Sequence, residues 1–161
     1  MIPPSVAHQQ DTLRIVTAGN LVIAAWFDAP TLEQMRAFRR ASQALKQRHP
    51  EGTAMVNLIV TGTPRFSAEV REEAALQQKD ALHNLGAAHV ILVGGLVGTA
   101  VRGFLGTMIL LGRSKNPTRV FGDVGPASAW LLGQLKNGPV EGWTLEDVKA
   151  AFELAIEPRL A

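Results

Sequence analysis

Three arginines on neighbouring turns of one predicted helix form the clearest cluster of chemistry-bearing side chains in the sequence: Arg36, Arg39 and Arg40. Guanidinium groups bind phosphates and carboxylates through paired hydrogen bonds, so this spacing could contact an anion or an acidic partner. A solvated helix face explains the same charges, because exposed helix surfaces commonly carry such runs. Both interpretations stay open from the sequence.

A glycine-rich turn, Gly94-Gly95-Leu-Val-Gly98, is the second candidate, since it follows an apolar strand pattern and precedes a helical one. Dinucleotide-binding turns of this kind have the spacing G-x-G-x-x-G and normally open their fold. Here the spacing is different and the turn falls late in the chain. Close packing of a strand-to-helix turn therefore ranks ahead of a nucleotide site, and a nucleotide binder at Gly94–Gly98 is our third functional hypothesis.

Catalytic motifs are missing from the sequence: there is no G-x-S-x-G elbow, no P-loop and no H-x-x-x-H. The acidic pairs Glu72-Glu73 and Glu146-Asp147 fall in predicted first helical turns, where the helix dipole favours negative charge. His83 and His89 have no ligand partner at a useful spacing, so we expect solvated or locally hydrogen-bonded histidines. The sequence predicts a protein that is not an enzyme and holds no cofactor and no metal.

Ser67 stands at a predicted helix N-terminus after the strand pattern Met55–Val60. The free N–H groups of such a terminus favour a phosphate, but they equally favour a serine that caps the helix. Glu69, Glu72 and Glu73 would repel a phosphoserine in the same turns. We predict that Ser67 is a cap and not a phosphorylation switch.

Composition limits the classes that remain. A chain of 161 residues with 47% hydrophobic and 19% charged residues fits one globular domain. The net charge of +2 is too small to indicate specific nucleic-acid binding. There is no cysteine, and the first residues have neither the basic region nor the apolar stretch of a secretory signal. We expect a cytoplasmic protein.

The stretch Thr99–Gly112 is predicted to form a helix that is apolar around most of its circumference. One charged residue, Arg102, and several glycines argue against a transmembrane span, while peripheral membrane contact stays open. Since consecutive apolar residues cannot all face one core, we expect an interface with a partner or ligand. Its candidate residues are Val101, Phe104, Leu105, Met108, Ile109 and Leu110.

Alternating strand and helix patterns predict an α/β fold, with a mixed, mostly parallel sheet opened by a hairpin and covered by helices. Strands are expected at residues 13–16, 21–26, 55–60, 90–93 and 118–121, with a helix between 67 and 85 ended by Gly86. We divide the chain into a flexible tail over residues 1–12, a domain over 13–136 and a C-terminal helical extension over 137–161.

This order resembles the SpoIIAA-like branch of the STAS superfamily, the anti-sigma-factor-antagonist fold. The resemblance is carried by Trp26-Phe27-Asp-Ala-Pro30-Thr31 at the first helix start, by the strand Val90–Val93, and by Pro117-Thr-Arg-Val120-Phe121 leading into Ala129-Trp130-Leu131. It implies a non-catalytic regulatory domain that binds a protein partner or another copy of itself, and in some relatives an apolar ligand. The segment Thr61–Ser67 lacks the Asp-Ser-Ser-Gly switch pattern of true antagonists.

Our first hypothesis is therefore a non-catalytic bacterial regulatory domain that binds a protein partner or itself through the helix 99–112. The alternative is an apolar small-molecule or lipid-binding domain that uses the same helix as a pocket wall.

Overall fold

The chain folds as an α/β protein in the computed structural model, which describes residues 1–62, 66–80, 84–112 and 116–157, and for 78–80 and 104–112 the backbone alone. Strands and helices alternate along these residues as β1 (Ser5–Gln10), β2 (Leu13–Ala18), β3 (Leu21–Trp26), α1 (Leu32–Arg48), β4 (Thr53–Ile59), α2 (Ala68–Asp80), β5 (Asn84–Ile91), α3 (Gly95–Gly112), β6 (Thr118–Phe121), α4 (Val124–Leu135) and α5 (Leu145–Ile156).

The strands form one sheet in chain order, β1-β2-β3-β4-β5-β6. Strands β1, β2 and β3 are antiparallel neighbours, whereas β3, β4, β5 and β6 pair in parallel. The predicted fold class, a mixed and mostly parallel sheet opened by a hairpin, is confirmed. Because α1, α2 and α3 connect adjacent parallel strands in the same direction, the right-handed crossover rule places them on one face of the sheet.

Two local features fix the start of the fold. The hairpin turn at Gly19-Asn20 joins β2 and β3, with Gly19 at a φ of 50° that favours glycine. Helix α1 begins with a capping box: the Thr31 side chain accepts from the backbone N–H of Gln34, whose side chain accepts from the N–H of Thr31. The turn fixes the connection between β2 and β3, and the capping box fixes the start of α1 after β3.

Two apolar cores lie on opposite faces of the sheet. One lies between the sheet and α1 and α2 and includes Trp26, Phe38 and Val70. The other joins the sheet to α4 and α5 and includes Leu131 and Phe152, both fully buried. Helix α5 therefore packs into the same core as the strands, so the proposed boundary between residues 136 and 137 does not separate two cores.

The prediction of a flexible tail over residues 1–12 is wrong for the segment that forms β1. Residues Ser5 to Gln10 pair with β2 as an antiparallel edge strand, and Asp11, in the turn between the two strands, adopts a φ of 47°. All six side chains of this strand are exposed or partly exposed, so backbone hydrogen bonds rather than an apolar face hold it. A search for apolar periodicity cannot detect such a strand.

The predicted helix through Leu85, ended by Gly86, is also wrong. Helix α2 ends at Asp80, and both residues belong to β5. Gly86 lies against α4, where a Cβ would stand 3.0 Å from the Gln134 side chain and 3.2 Å from that of Trp130. This glycine permits close approach of a helix to the sheet instead of ending a helix.

Within the described part of the chain, no helix has both the length and the apolarity that crossing a bilayer requires.

Candidate interaction surface

Helix α3 starts earlier than predicted, and its first turn exposes two large apolar side chains. The strand ends at Ile91 and the helix begins at Gly95, so Leu92, Val93 and Gly94 connect the two. The side chain of Leu96 is 90% exposed and that of Val97 is 47% exposed. The sequence pattern placed both residues in a closely packed turn. It could not show that they belong to a helical turn that faces solvent.

Close packing of α3 against the end of β5 explains the glycine-rich turn. A Cβ on Gly98 would overlap the carbonyl oxygen of Val93, so only glycine fits at this contact. Gly95 has a φ of 72°, which also favours glycine. Backbone geometry therefore explains the glycines at positions 95 and 98, in agreement with the prediction of a closely packed turn.

The one charged residue of α3 turns back towards the sheet. One guanidinium nitrogen of Arg102 lies 3.4 Å from the carbonyl oxygen of Ile91, and the other lies 3.3 Å from Oγ1 of Thr99. The exposed residues of the first turns are Gly95, Leu96, Val97, Thr99, Ala100 and Gly103, none of which carries a charge. The outward surface of these turns is therefore uncharged.

Of the predicted interface residues, Val101 lies on α3 with a partly buried side chain. The side chains of the other five, Phe104, Leu105, Met108, Ile109 and Leu110, lie outside the described residues, although their backbone belongs to α3. Leu96 and Val97 extend the candidate surface towards the start of the helix. We call Leu96, Val97 and Val101 the α3 surface.

The arginines of α1 do not act as one cluster. Arg36 and Arg40 are exposed, whereas Arg39 lies 3.5 Å from a carboxylate oxygen of Glu73 on α2. The Glu73 side chain is only 8% exposed, so this ion pair links the two helices at a largely buried position. The acidic pair at Glu72-Glu73 is thereby divided, with Glu72 exposed to solvent.

Polar side chains line a small cavity beside this ion pair, between α1, α2 and the amino ends of β4 and β5. Its lining includes Arg39, Ser42, Thr53, Gln77 and Asn84. The Thr53 hydroxyl donates to Oδ1 of Asn84 at 3.1 Å, and the Gln77 amide donates to the carbonyl oxygen of Met35 at 3.1 Å. These hydrogen bonds serve the packing of the two helices on the sheet.

Ser67 occupies the predicted cap position. Its Oγ accepts a hydrogen bond from the backbone N–H of Val70 at 3.2 Å, in the first turn of α2. The capping geometry is confirmed, and its hydroxyl is engaged in holding the helix start.

The main polar feature that sequence reasoning missed lies inside the sheet. His89 stands in the middle of β5, directly between Asn57 of β4 and Val120 of β6. Oδ1 of Asn57 accepts from the indole N–H of Trp26 at 3.3 Å, while His89 makes no hydrogen bond with the described residues. Burial lowers the pKa of His89 from 6.5 to about 4. The His89 side chain keeps partial exposure to solvent.

A signal for this pair was present in the sequence. Asn57 and His89 each interrupt an apolar strand pattern, and neighbouring parallel strands can bring two such interruptions together. His83, the other histidine considered, lies outside the described residues. In the described ranges, no group of three or more histidine, aspartate and glutamate side chains could hold a metal ion.

Comparison of the chain with models of known protein families, with curated proteins and with solved structures finds no match.

Proposed function

We propose that this chain is a non-catalytic regulatory domain that binds a second copy of itself through the α3 surface. The observation that carries the proposal is the exposure of two large apolar side chains on one helical turn, Leu96 at 90% and Val97 at 47%. Monomeric proteins seldom leave contiguous apolar patches in water, because covering them removes apolar area from solvent. The STAS resemblance supports the regulatory part of the proposal.

A second copy suits this surface because the exposed first turns of α3 carry no charge. Two identical charged patches would repel across a twofold axis, whereas two identical apolar patches are complementary. Arg102 does not oppose this, since its guanidinium is directed to the carbonyl oxygen of Ile91 and to Thr99. The glycines at 95 and 103 are exposed and would meet nothing within 4 Å at a Cβ, so they leave room for a facing helix.

Sedimentation velocity over a range of concentrations tests the proposal. We expect the unmodified chain to sediment as a dimer and Leu96→Asp to sediment as a monomer, because a buried unpaired carboxylate opposes the association. Leu76→Asp is the matched control: Leu76 is 40% exposed on α2, away from the α3 surface. That variant should remain a dimer.

An unmodified chain that stays monomeric at every concentration, and that retains no molecule in native mass spectrometry, contradicts the proposal. A monomer that retains an apolar molecule supports the alternative, in which α3 is the wall of a ligand pocket. Equal loss of the dimer in both aspartate variants would also contradict a role for the α3 surface.

A further inference from the structure

Polar side chains make much of the contact between helices α1 and α2. Of the α2 side chains that the structure describes, Val70, Glu73 and Gln77 are buried, and among them Val70 alone is apolar. Glu73 pairs with Arg39 of α1, and the Gln77 amide donates to the carbonyl oxygen of Met35 on the same helix. The attachment of α2 therefore depends on hydrogen bonds as well as on apolar packing.

One hydroxyl group in this contact has no partner. Ser42 of α1 keeps partial exposure as a residue, but its Oγ is buried and makes no hydrogen bond within the described structure. A serine inside a helix often bonds to a carbonyl oxygen of the preceding turn, and Ser42 does not do so. Buried polar atoms are normally paired with protein groups or with ordered water, so this oxygen indicates a further partner.

The cavity lined by Ser42 has the size of such a partner. The centre of a water-sized sphere can occupy about 20 Å3 of it. One bound water molecule needs about 10–15 Å3 by the same measure, so the space suits a single water-sized group. Polar residues that include Thr53, Gln77 and Asn84 line the cavity together with Ser42. A polar lining of this kind favours water over an apolar occupant.

Charges beside the cavity favour a neutral occupant. Arg39 and Lys46 are lining residues and would repel a cation. An anion would meet the carboxylate of Glu73, which lies 3.5 Å from the guanidinium of Arg39. Water fits both limits, because it is uncharged and can donate and accept hydrogen bonds at once.

We propose that the cavity between α1 and α2 binds one ordered water molecule, held by Oγ of Ser42. Thr53 is a second partner: its hydroxyl donates to Oδ1 of Asn84 at 3.1 Å, so its oxygen can accept a hydrogen bond from the water. The water completes the polar attachment of α2. The described lining includes no residue of the α3 surface, so the site does not depend on the proposed dimer.

A second serine provides a matched control. Oγ of Ser128, which is completely buried on α4, also has no partner within the described structure, but Ser128 is not among the lining residues of the cavity. Oxygen-17 relaxation dispersion of the intact chain measures water molecules that stay bound for longer than the protein tumbles. We expect Ser42→Val to lose the contribution of a single water, because valine removes the hydroxyl and fills part of the space. Ser128→Ala should retain that contribution.

Urea unfolding of two alanine variants is the second measurement. Ser42→Ala should lower the urea midpoint, because the bound water loses a partner. Ser128→Ala should leave the midpoint unchanged or raise it, since it removes a buried hydroxyl that makes no hydrogen bond.

An unaltered relaxation dispersion in Ser42→Val overturns the proposal. If that variant does not fold, the two alanine variants decide: equal shifts of their urea midpoints would show that the Ser42 hydroxyl holds no more water than that of Ser128. A bound anion would appear as a saturable rise of the midpoint with sodium nitrate that Ser42→Ala abolishes, and this result would also overturn the assignment to water.

Discussion

The carboxylate of Asp147, at the start of α5, accepts a hydrogen bond from the backbone N–H of Ile2 at 3.1 Å, which joins the first residues of the chain to its last helix. The other carboxylate oxygen accepts from the backbone N–H of Thr144 at 3.0 Å and from its hydroxyl at 2.9 Å. These bonds lower the pKa of Asp147, with the Ile2 bond the largest cause. One side chain thus both caps a helix and fastens the segment before β1.

We predict that Asp147→Ala lowers the free energy of unfolding by about 1 kcal/mol or more, since it removes the carboxylate's bonds to Thr144 in the capping box and to Ile2 together. Asp147→Asn keeps an acceptor oxygen and should lose less. Because the folded pKa is depressed, the stabilisation is present above the ordinary pKa of 3.8 and is lost as the pH falls through the folded value. Urea titrations at neutral and acidic pH measure both effects; equal losses in the two variants would contradict this role.

The ion pair between Arg39 and Glu73 gives the second prediction. Arg39→Ala leaves the largely buried Glu73 carboxylate without this partner and should destabilise the fold by about 3 kcal/mol. Arg36→Ala, on the exposed face of the same helix, should change stability by less than about 0.5 kcal/mol. Thermal unfolding of the two variants, compared with the unmodified chain, separates a structural arginine from a solvated one. Similar melting temperatures in both would refute the distinction.

Short sequence patterns predict turns and helix starts well, because these features depend on residues that are close together in the chain. The capping box of Thr31 and Gln34 and the hairpin turn at Gly19-Asn20 are short-range sequence patterns, and the structure contains both. The fold class followed from the alternation of these elements.

What the sequence could not show depends on contacts between distant residues. Strand β1 is held by pairing with β2, and Gly86 is explained by its approach to α4, neither of which leaves a periodic pattern. The exposure of Leu96 and the meeting of Asn57 with His89 likewise depend on how helices and strands are placed. Apolar residues look alike in sequence whether they face a core or solvent.

Ser67 provides the third prediction. Ser67→Ala should cost about 1 kcal/mol, because the backbone N–H of Val70 loses its acceptor. Ser67→Asp can cap the helix itself and should cost less, while leaving the oligomeric state unchanged. Chemical denaturation and sedimentation of the two variants check these outcomes. Recovery of phosphorylated Ser67 from cells, or a binding defect confined to the aspartate variant, would show that this serine is a switch after all.

Two glycines of α3 form a matched pair for the fourth prediction. Gly98→Ala should destabilise the fold by about 2 kcal/mol, since its Cβ would overlap the backbone of Val93. Gly103→Ala meets nothing within 4 Å at its Cβ and should stabilise the helix by up to about 1 kcal/mol. Both free energies come from urea unfolding. If Gly98→Ala were as stable as the unmodified chain, close packing would not explain this glycine.

The last prediction concerns the pH dependence of stability caused by His89. Burial lowers its pKa to about 4, so the unfolded chain, with a pKa of 6.5, takes up a proton before the folded chain does. Stability is therefore lost as the pH falls below 6.5, and the loss is complete near pH 4. Between pH 7 and pH 5 this residue should reduce the free energy of unfolding by about 2 kcal/mol.

Replacing His89 with leucine removes the titrating group and should abolish this part of the pH dependence, so that the stability of the variant changes less between pH 7 and pH 5. The contribution of Asp147 falls in a separate window, below its ordinary pKa of 3.8, and should persist in the variant. Urea unfolding at half-unit steps of pH measures both windows. A parallel pH profile in the two proteins between pH 7 and pH 5 would show that His89 is protonated as readily in the folded chain as in the unfolded one.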